Sequence, residues 1–137
     1  MVNKQENPSV ATYNWEDKVI LIVEDDMINY KFLEMTIRRT QAKVIWAKNG
    51  LEGVNMVIAN PEIDLILMDI QMPIMNGYEA TTKIKSMKPD IPIIAQTAFA
   101  LNNEGNDVYA AGCDYYLKKP INPFVLLSLL KDIIDAK

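Results

Sequence analysis

Four stretches of this chain end in residues that could do chemistry together. Glu24, Asp25 and Asp26 follow the apolar run VILIV, and Asp69 follows LILM. Thr97 follows IIAQ, and Lys118 and Lys119 follow YYL. Carboxylates a few ångströms apart repel by about 4 kcal/mol per close pair at an effective dielectric of roughly 20. Such a cluster needs a cation or a raised pKa. All-oxygen ligands suit a hard ion, Mg²⁺ above all. In a loop, an isolated Glu-Asp-Asp run is usually a solvated charge run. Directly after a buried strand, and facing Asp69, it reads as a metal site. Asp69 alone could be a turn residue within the turn-rich MDIQMPIMNG. A carboxylate is also a nucleophile toward phosphorus, giving an aspartyl phosphate. That chemistry needs charge neutralisation more than a strong base. Lys119 would supply positive charge, the Thr97 hydroxyl would hold a phosphoryl oxygen, and the small Ala98 would leave room for the group. Singly, Thr97 is more often a strand residue and Lys119 a surface charge; their joint placement raises both. The chain has no histidine, so imidazole catalysis, imidazole metal ligands and an internal phosphohistidine are excluded.

These residues must be positioned by the elements that precede them. Five β-type runs are expected at Val19–Val23, Lys43–Ala47, Leu65–Met68, Ile93–Gln96 and Tyr115–Leu117. Runs such as VILIV and LILM are apolar at successive positions, as in strands buried on both faces of a parallel sheet. Each gap holds a helix-length segment. Helices are expected at Met27–Arg39, from Gly50 to just before Asn60-Pro61, at Gly77–Met87, near Glu104–Ala111 and from Asn122-Pro123 to about Asp135. Asn49, Asn76 and Asn122 are the expected N-caps, with Pro123 at the first helical position. The last helix should place Phe124, Leu127, Leu130 and Ile134 along one stripe. Alternation of this kind predicts a doubly wound α/β domain of (βα)5 type, with a five-stranded parallel sheet in the order 2-1-3-4-5. Ligands of such sheets bind outside the carboxyl ends of the strands, which is where the acids, the hydroxyl and the amine fall.

Size and composition bound the rest. The chain has 137 residues, half of them hydrophobic, and a formal charge of −4. One domain with a sizeable core is expected over residues 17–137, behind a polar, flexible lead-in or linker at 1–16. A mildly acidic surface gains nothing from a phosphate backbone, so nucleic-acid binding is not expected. The single cysteine, Cys113, excludes an internal disulfide and suits a reducing compartment. No apolar run reaches the ~20 residues of a membrane span, and the first residues lack the apolar core of a signal peptide. The expected location is cytoplasmic.

With these features in place, the sequence resembles receiver domains of bacterial response regulators and hybrid histidine kinases. The resemblance runs from about Lys18 to Ile134 and rests on VILIVEDD, LILMDIQMPIMNGYEA, IIAQTAFA and YYLKKPIN, in order and at family spacing. Any one of these would be weak; together they are specific. The resemblance implies a flavodoxin-like fold with Asp69 as phosphoacceptor. It makes Asp25 a direct Mg²⁺ ligand, Glu24 one acting through water, and the Gln71 main-chain carbonyl a third. Thr97 becomes the switch hydroxyl, Lys119 the phosphoryl-binding amine and Tyr116 the aromatic switch. Lys119-Pro120 becomes a cis bond, which generic statistics for X-Pro do not favour. Asp26 receives no ligand role, and Lys118 is expected to face solvent. Ile121 stands where the family often has an aromatic residue. Gln71 and Phe99 are expected to tune hydrolysis.

The implied partner is a histidine kinase or a histidine phosphotransfer protein. A homodimer through the face of helix 4, strand 5 and helix 5 is a further option. Because the chain stops at Lys137, two contexts are expected: a free single-domain regulator, or the C-terminal receiver of a hybrid kinase with 1–16 as linker, the second favoured by the polar lead-in. Three competing classes fit less well. A flavin mononucleotide binder would want a phosphate loop where Glu24–Asp26 stand. A phosphatase with an aspartyl nucleophile would want two Asp two residues apart after strand 1. A degenerate scaffold should have lost Asp69, an acid or Lys119, and none is missing.

Overall fold

In the computed structural model, which describes residues 13–98 and 108–136, the runs VILIV, LILMD and IIAQT are buried along their whole length. They are the three inner strands of one parallel sheet. Its strands are β1 (Val19–Val23), β2 (Lys43–Ala47), β3 (Leu65–Asp69), β4 (Ile93–Thr97) and β5 (Tyr115–Lys118), in the expected order β2-β1-β3-β4-β5. The edge strands β2 and β5 are only partly buried, as their mixed sequences KVIWA and YYLK require. The helices are α1 (Met27–Arg38), α2 (Gly50–Ala59), α3 (Gly77–Met87), α4 (described over 108–111) and α5 (Pro123–Asp135).

Three strands run one residue further than the apolar runs suggest. Asp69 pairs with Gln96, and Thr97 pairs with Lys118, so polar residues complete the ladders. Asn49, Asn76 and Asn122 cap their helices as expected, Asn76 within a capping box closed by Glu79. α1 is capped by Asp26, whose side chain accepts from the Ile28 N–H. The stripe expected on α5 holds at Leu127 and Leu130, with Ile134 packed partly buried against the core, and is corrected at its start. Leu126, Leu127, Leu130 and Ile133 are its buried residues, whereas Phe124 is 52% exposed. The first turn of α5 lies beside the edge strand β5, where Phe124 and Val125 line a groove with Tyr115, Tyr116 and Leu117. The part of the expected helix from 104 to 107, Phe99 and residues 1–12 of the lead-in lie outside the described residues. Within 13–16, Trp15 is buried, stacks on Tyr13 and donates its N–H to Thr40 O at 2.7 Å.

The two-residue repeat of the strands sorts side chains between two cores. Ile20, Ile22, Leu65, Leu67 and Ile94 pack with α1 and α5. Leu21, Val23, Ile66, Met68, Ile93 and Ala95 pack with α2, α3 and α4. Carried to the strand ends, the alternation gives Glu24, Asp69, Gln96 and Lys119 the parity of the α1/α5 face. Thr97 and Tyr116 have the parity of the other face, where Tyr116 packs against the core cluster.

The loop from β3 to α3 is closed by a glycine. Gly77 N donates to Ile70 O at 2.9 Å, and a Cβ on Gly77 would lie 2.3 Å from Asp69 O. Within the same loop Ile74 has φ +71, and Met75 N donates to Pro73 O at 2.8 Å.

Candidate functional site

Glu24 ends the buried course of β1 and is fully enclosed, at 0% exposure. A carboxylate so placed must have its oxygens satisfied. Asn29 Nδ2 and Lys119 Nζ approach Oε1, the latter at 3.6 Å, and Asp26 N donates to Oε2 at 3.2 Å. The main-chain oxygen of Glu24 accepts from the Trp46 indole N–H at 2.8 Å, and Trp46 in turn stacks on Tyr30 with ring centroids 3.9 Å apart. Glu24 is thus held from α1, β2 and β5 at once.

Asp69 is buried at the end of β3, and its Oδ1 lies 3.2 Å from Lys119 Nζ. Gln71 N donates to the same oxygen at 3.3 Å. Asp25 is exposed at the mouth of the site. One carboxylate oxygen from each of Glu24, Asp25 and Asp69 can be chosen so that all lie within 4.8 Å of one another. Burial, and then the negative charge of Asp69, push the Glu24 carboxyl up to about 7, while Asn29 and Lys119 pull it down. One ammonium stands against three carboxylates, so the cleft carries excess negative charge. An all-carboxylate oxygen set of this kind fits a hard divalent cation.

The structure brings together four of the expected residues: Glu24, Asp25, Asp69 and Lys119. Thr97 is buried at the end of β4, and its main-chain oxygen accepts from Lys119 N at 2.7 Å. That bond locks the ends of β4 and β5 together. Lys119-Pro120 is cis. Gln71 is exposed, beside Asp69. Lys118 is exposed, as expected. Tyr116 is half-buried and lines a groove of about 590 Å³ with Tyr109, Phe124, Val125 and Leu129, over β5 and between α4 and α5.

Two residues at the site carry no role in the sequence reading: Asn29, in the first turn of α1, and Gln96, in β4. Asn29 Nδ2 reaches both Glu24 Oε1 and Gln96 Oε1, the second at 3.3 Å. The available signal was a lone amide in the middle of IIAQTA, at a position that a parallel sheet buries. Asp26, also without a role, is the α1 cap.

Comparison with known proteins accords with this geometry. Residues 20–131 match the family model described as response regulator receiver domain. Hybrid signal transduction histidine kinase G of Dictyostelium discoideum is 46% identical over 107 residues, which cover 74% of this chain and 3% of that protein. The chain therefore spans a small part of that kinase's length. The polar-differentiation response regulator DivK of Brucella anthropi is 38% identical over 110 residues, covering 77% of this chain and 86% of that protein. Among solved structures, the receiver domain of sensor histidine kinase PA1611 from Pseudomonas aeruginosa has a magnesium ion coordinated in its active site cleft. It superposes with a TM-score of 0.79 at 32% identity, over 86% of this chain and 98% of that one. Among the described residues, no helix is long and apolar enough to cross a membrane.

Proposed function

Because this chain belongs to the response regulator receiver domain family of two-component signalling, we propose that Asp69 takes a phosphoryl group from a phosphohistidine on a partner kinase or phosphotransfer protein. The observation that carries this reading is the meeting of Glu24, Asp25, Asp69 and Lys119 at the carboxyl ends of the strands, with the Lys119 ammonium 3.2 Å from Asp69 Oδ1. Asp69 is the nucleophile; its carboxylate oxygen bonds to phosphorus as the P–N bond to the donor imidazole breaks. Lys119 exchanges its contact with Asp69 for one with a phosphoryl oxygen. Thr97 offers its hydroxyl to another. Glu24, Asp25, Asp69 and the Gln71 main-chain carbonyl would hold Mg²⁺. When bound, that ion supplies the positive charge that phosphoryl transfer to a carboxylate requires. The domain is regulatory, and its chemistry is its own phosphorylation and dephosphorylation.

The output follows from what Thr97 is joined to. Its main chain is bonded to that of Lys119, and β4 lies against β5, which carries Tyr116. Movement of Thr97 toward a phosphoryl group shifts Tyr116 and remodels the groove between α4 and α5, a population shift between two arrangements. A partner, or a second copy of the chain, reads that face.

Intact mass after incubation with acetyl phosphate tests the acceptor. Wild type should gain one phosphoryl group with Mg²⁺ and none with EDTA, and Asp69→Ala should gain none. A wild type unmodified both by acetyl phosphate and by a phosphorylated histidine donor would overturn the assignment.

A further inference from the structure

We propose that Asn29 and Gln96 are positioning residues for the acid cluster: a hydrogen-bonded amide pair that orients the Glu24 carboxylate and ties it to β4 beside Thr97. The inference rests on the assignment of Glu24 to a cation site.

The amide orientations follow from one fixed point. Glu24 Oε1 lies 3.6 Å from the Lys119 ammonium, which can only donate, so that oxygen is an acceptor and the side of Asn29 that faces it must be its NH₂. That nitrogen has two protons. One goes to Glu24 Oε1, and the second points to Gln96 Oε1 at 3.3 Å. Gln96 must therefore present its oxygen to Asn29 and turn its own nitrogen away. Among the described residues, Gln96 Nε2 is a buried side-chain nitrogen left without a partner. At 1% exposure, a glutamine with an unmet donor is a costly choice for a strand whose neighbours are Ile, Ala and Thr. A hydrophobic residue would pack there without that cost. The cost is explained if the oxygen of Gln96 is what the site needs, because it gives the second Asn29 proton an acceptor within the protein and holds the amide against rotation off Glu24.

The placement of Gln96 gives the pair its reach. It stands opposite Asp69 in the ladder, its main-chain oxygen accepts from Ile70 N at 3.1 Å, and Thr97 follows it directly. α1, β1 and β4 are thereby joined through one chain of bonds, Gln96 to Asn29 to Glu24. Partners that orient a ligand without touching the ion commonly change metal affinity by roughly 10–100-fold when removed.

The test is titration calorimetry with Mg²⁺ on the full chain at pH 7.5, with urea midpoints measured on the same samples. Asn29→Ala should weaken Mg²⁺ binding roughly tenfold. Gln96→Met, which keeps volume and leaves Asn29 in place, should weaken it by a smaller step while holding or raising the urea midpoint. The double variant should bind no worse than Asn29→Ala alone, because Gln96 reaches Glu24 only through Asn29. Affinity within about twofold of wild type in both single variants, or losses that simply add in the double, would overturn the proposal. A wild type that does not bind Mg²⁺ fails at an earlier step, since the assignment of the acid cluster itself is then wrong and the positioning role falls with it.

Discussion

Lys119 faces two demands at the level of the single residue. Its ammonium lies 3.2 Å from Asp69 Oδ1 and 3.6 Å from Glu24 Oε1, so it neutralises in place the carboxylates that would hold a cation. Lys119→Ala should therefore act in opposite directions. Phosphoryl transfer from a donor should slow by on the order of a hundredfold, because one charge-stabilising group is lost. Mg²⁺ affinity should rise several-fold, because a competing cation is gone; stopped-flow transfer and calorimetry measure the two. Cys113 makes a contrasting case. Burial pushes its thiol from 9.0 up to about 11, despite the Thr81 hydroxyl 3.6 Å away. The folded state thus disfavours the thiolate. The contribution of Cys113 to stability should be level below pH 9 and fall as the pH rises from 9.0 toward about 11, as the unfolded chain's thiol ionises and the folded chain's does not. Thiol labelling at pH 8 should be slower than in urea by roughly a hundredfold or more, as expected from a raised pKa together with burial. The positions of the acids, Lys119 and Thr97 at the strand ends were legible from sequence because each follows an apolar run. Asn29 and Gln96 were not, because their role exists only once a helix and a strand far apart in sequence are set side by side.

At the scale of elements, the loop after β3 depends on having no side chain at Gly77, where a Cβ would stand 2.3 Å from Asp69 O. Main chain cannot yield as a flexible side chain can. Gly77→Ala should cost more than about 2 kcal/mol of stability by urea denaturation, through strain at the main chain of Asp69. Asp26→Ala, which removes only the cap of α1, should cost about 1 kcal/mol and leave Asp69 chemistry intact. Element types and caps were readable because they depend on near neighbours: asparagine before a helix, proline at its first position, apolar runs in buried strands. The place of Phe124 on the buried face of α5 was misread for the opposite reason. Which side of a helix is covered depends on where the sheet ends, and nothing within PFVLLSLLKDIID records that β5 is an edge.

For the whole molecule, the excess negative charge of the cleft is a stored repulsion that a cation held by the folded state would relieve. At about a hundredfold excess over its dissociation constant, a single bound ion adds about 2.7 kcal/mol. For a domain of this size, Mg²⁺ should then raise Tm by roughly 5–10 °C, reversibly with EDTA. Asp25→Asn, at an exposed position, should lose most of that shift without unfolding the protein, which a thermal melt with and without Mg²⁺ would check. The two cores on either side of the sheet have a further consequence. Odd and even positions of each strand belong to different faces, so the sheet acts as a parity rule. Glu24, Asp69 and Lys119 have one parity, Thr97 and Tyr116 the other, and only the strand ends let the two meet. Inserting one residue in β4 would exchange Gln96 and Thr97 between faces while leaving composition and length almost unchanged. A pair of inserted residues would preserve the sorting. Single-residue insertions and deletions in the inner strands should thus be purged from such chains far more strictly than substitutions, and the loops beyond the amino ends of the strands should absorb nearly all change in length.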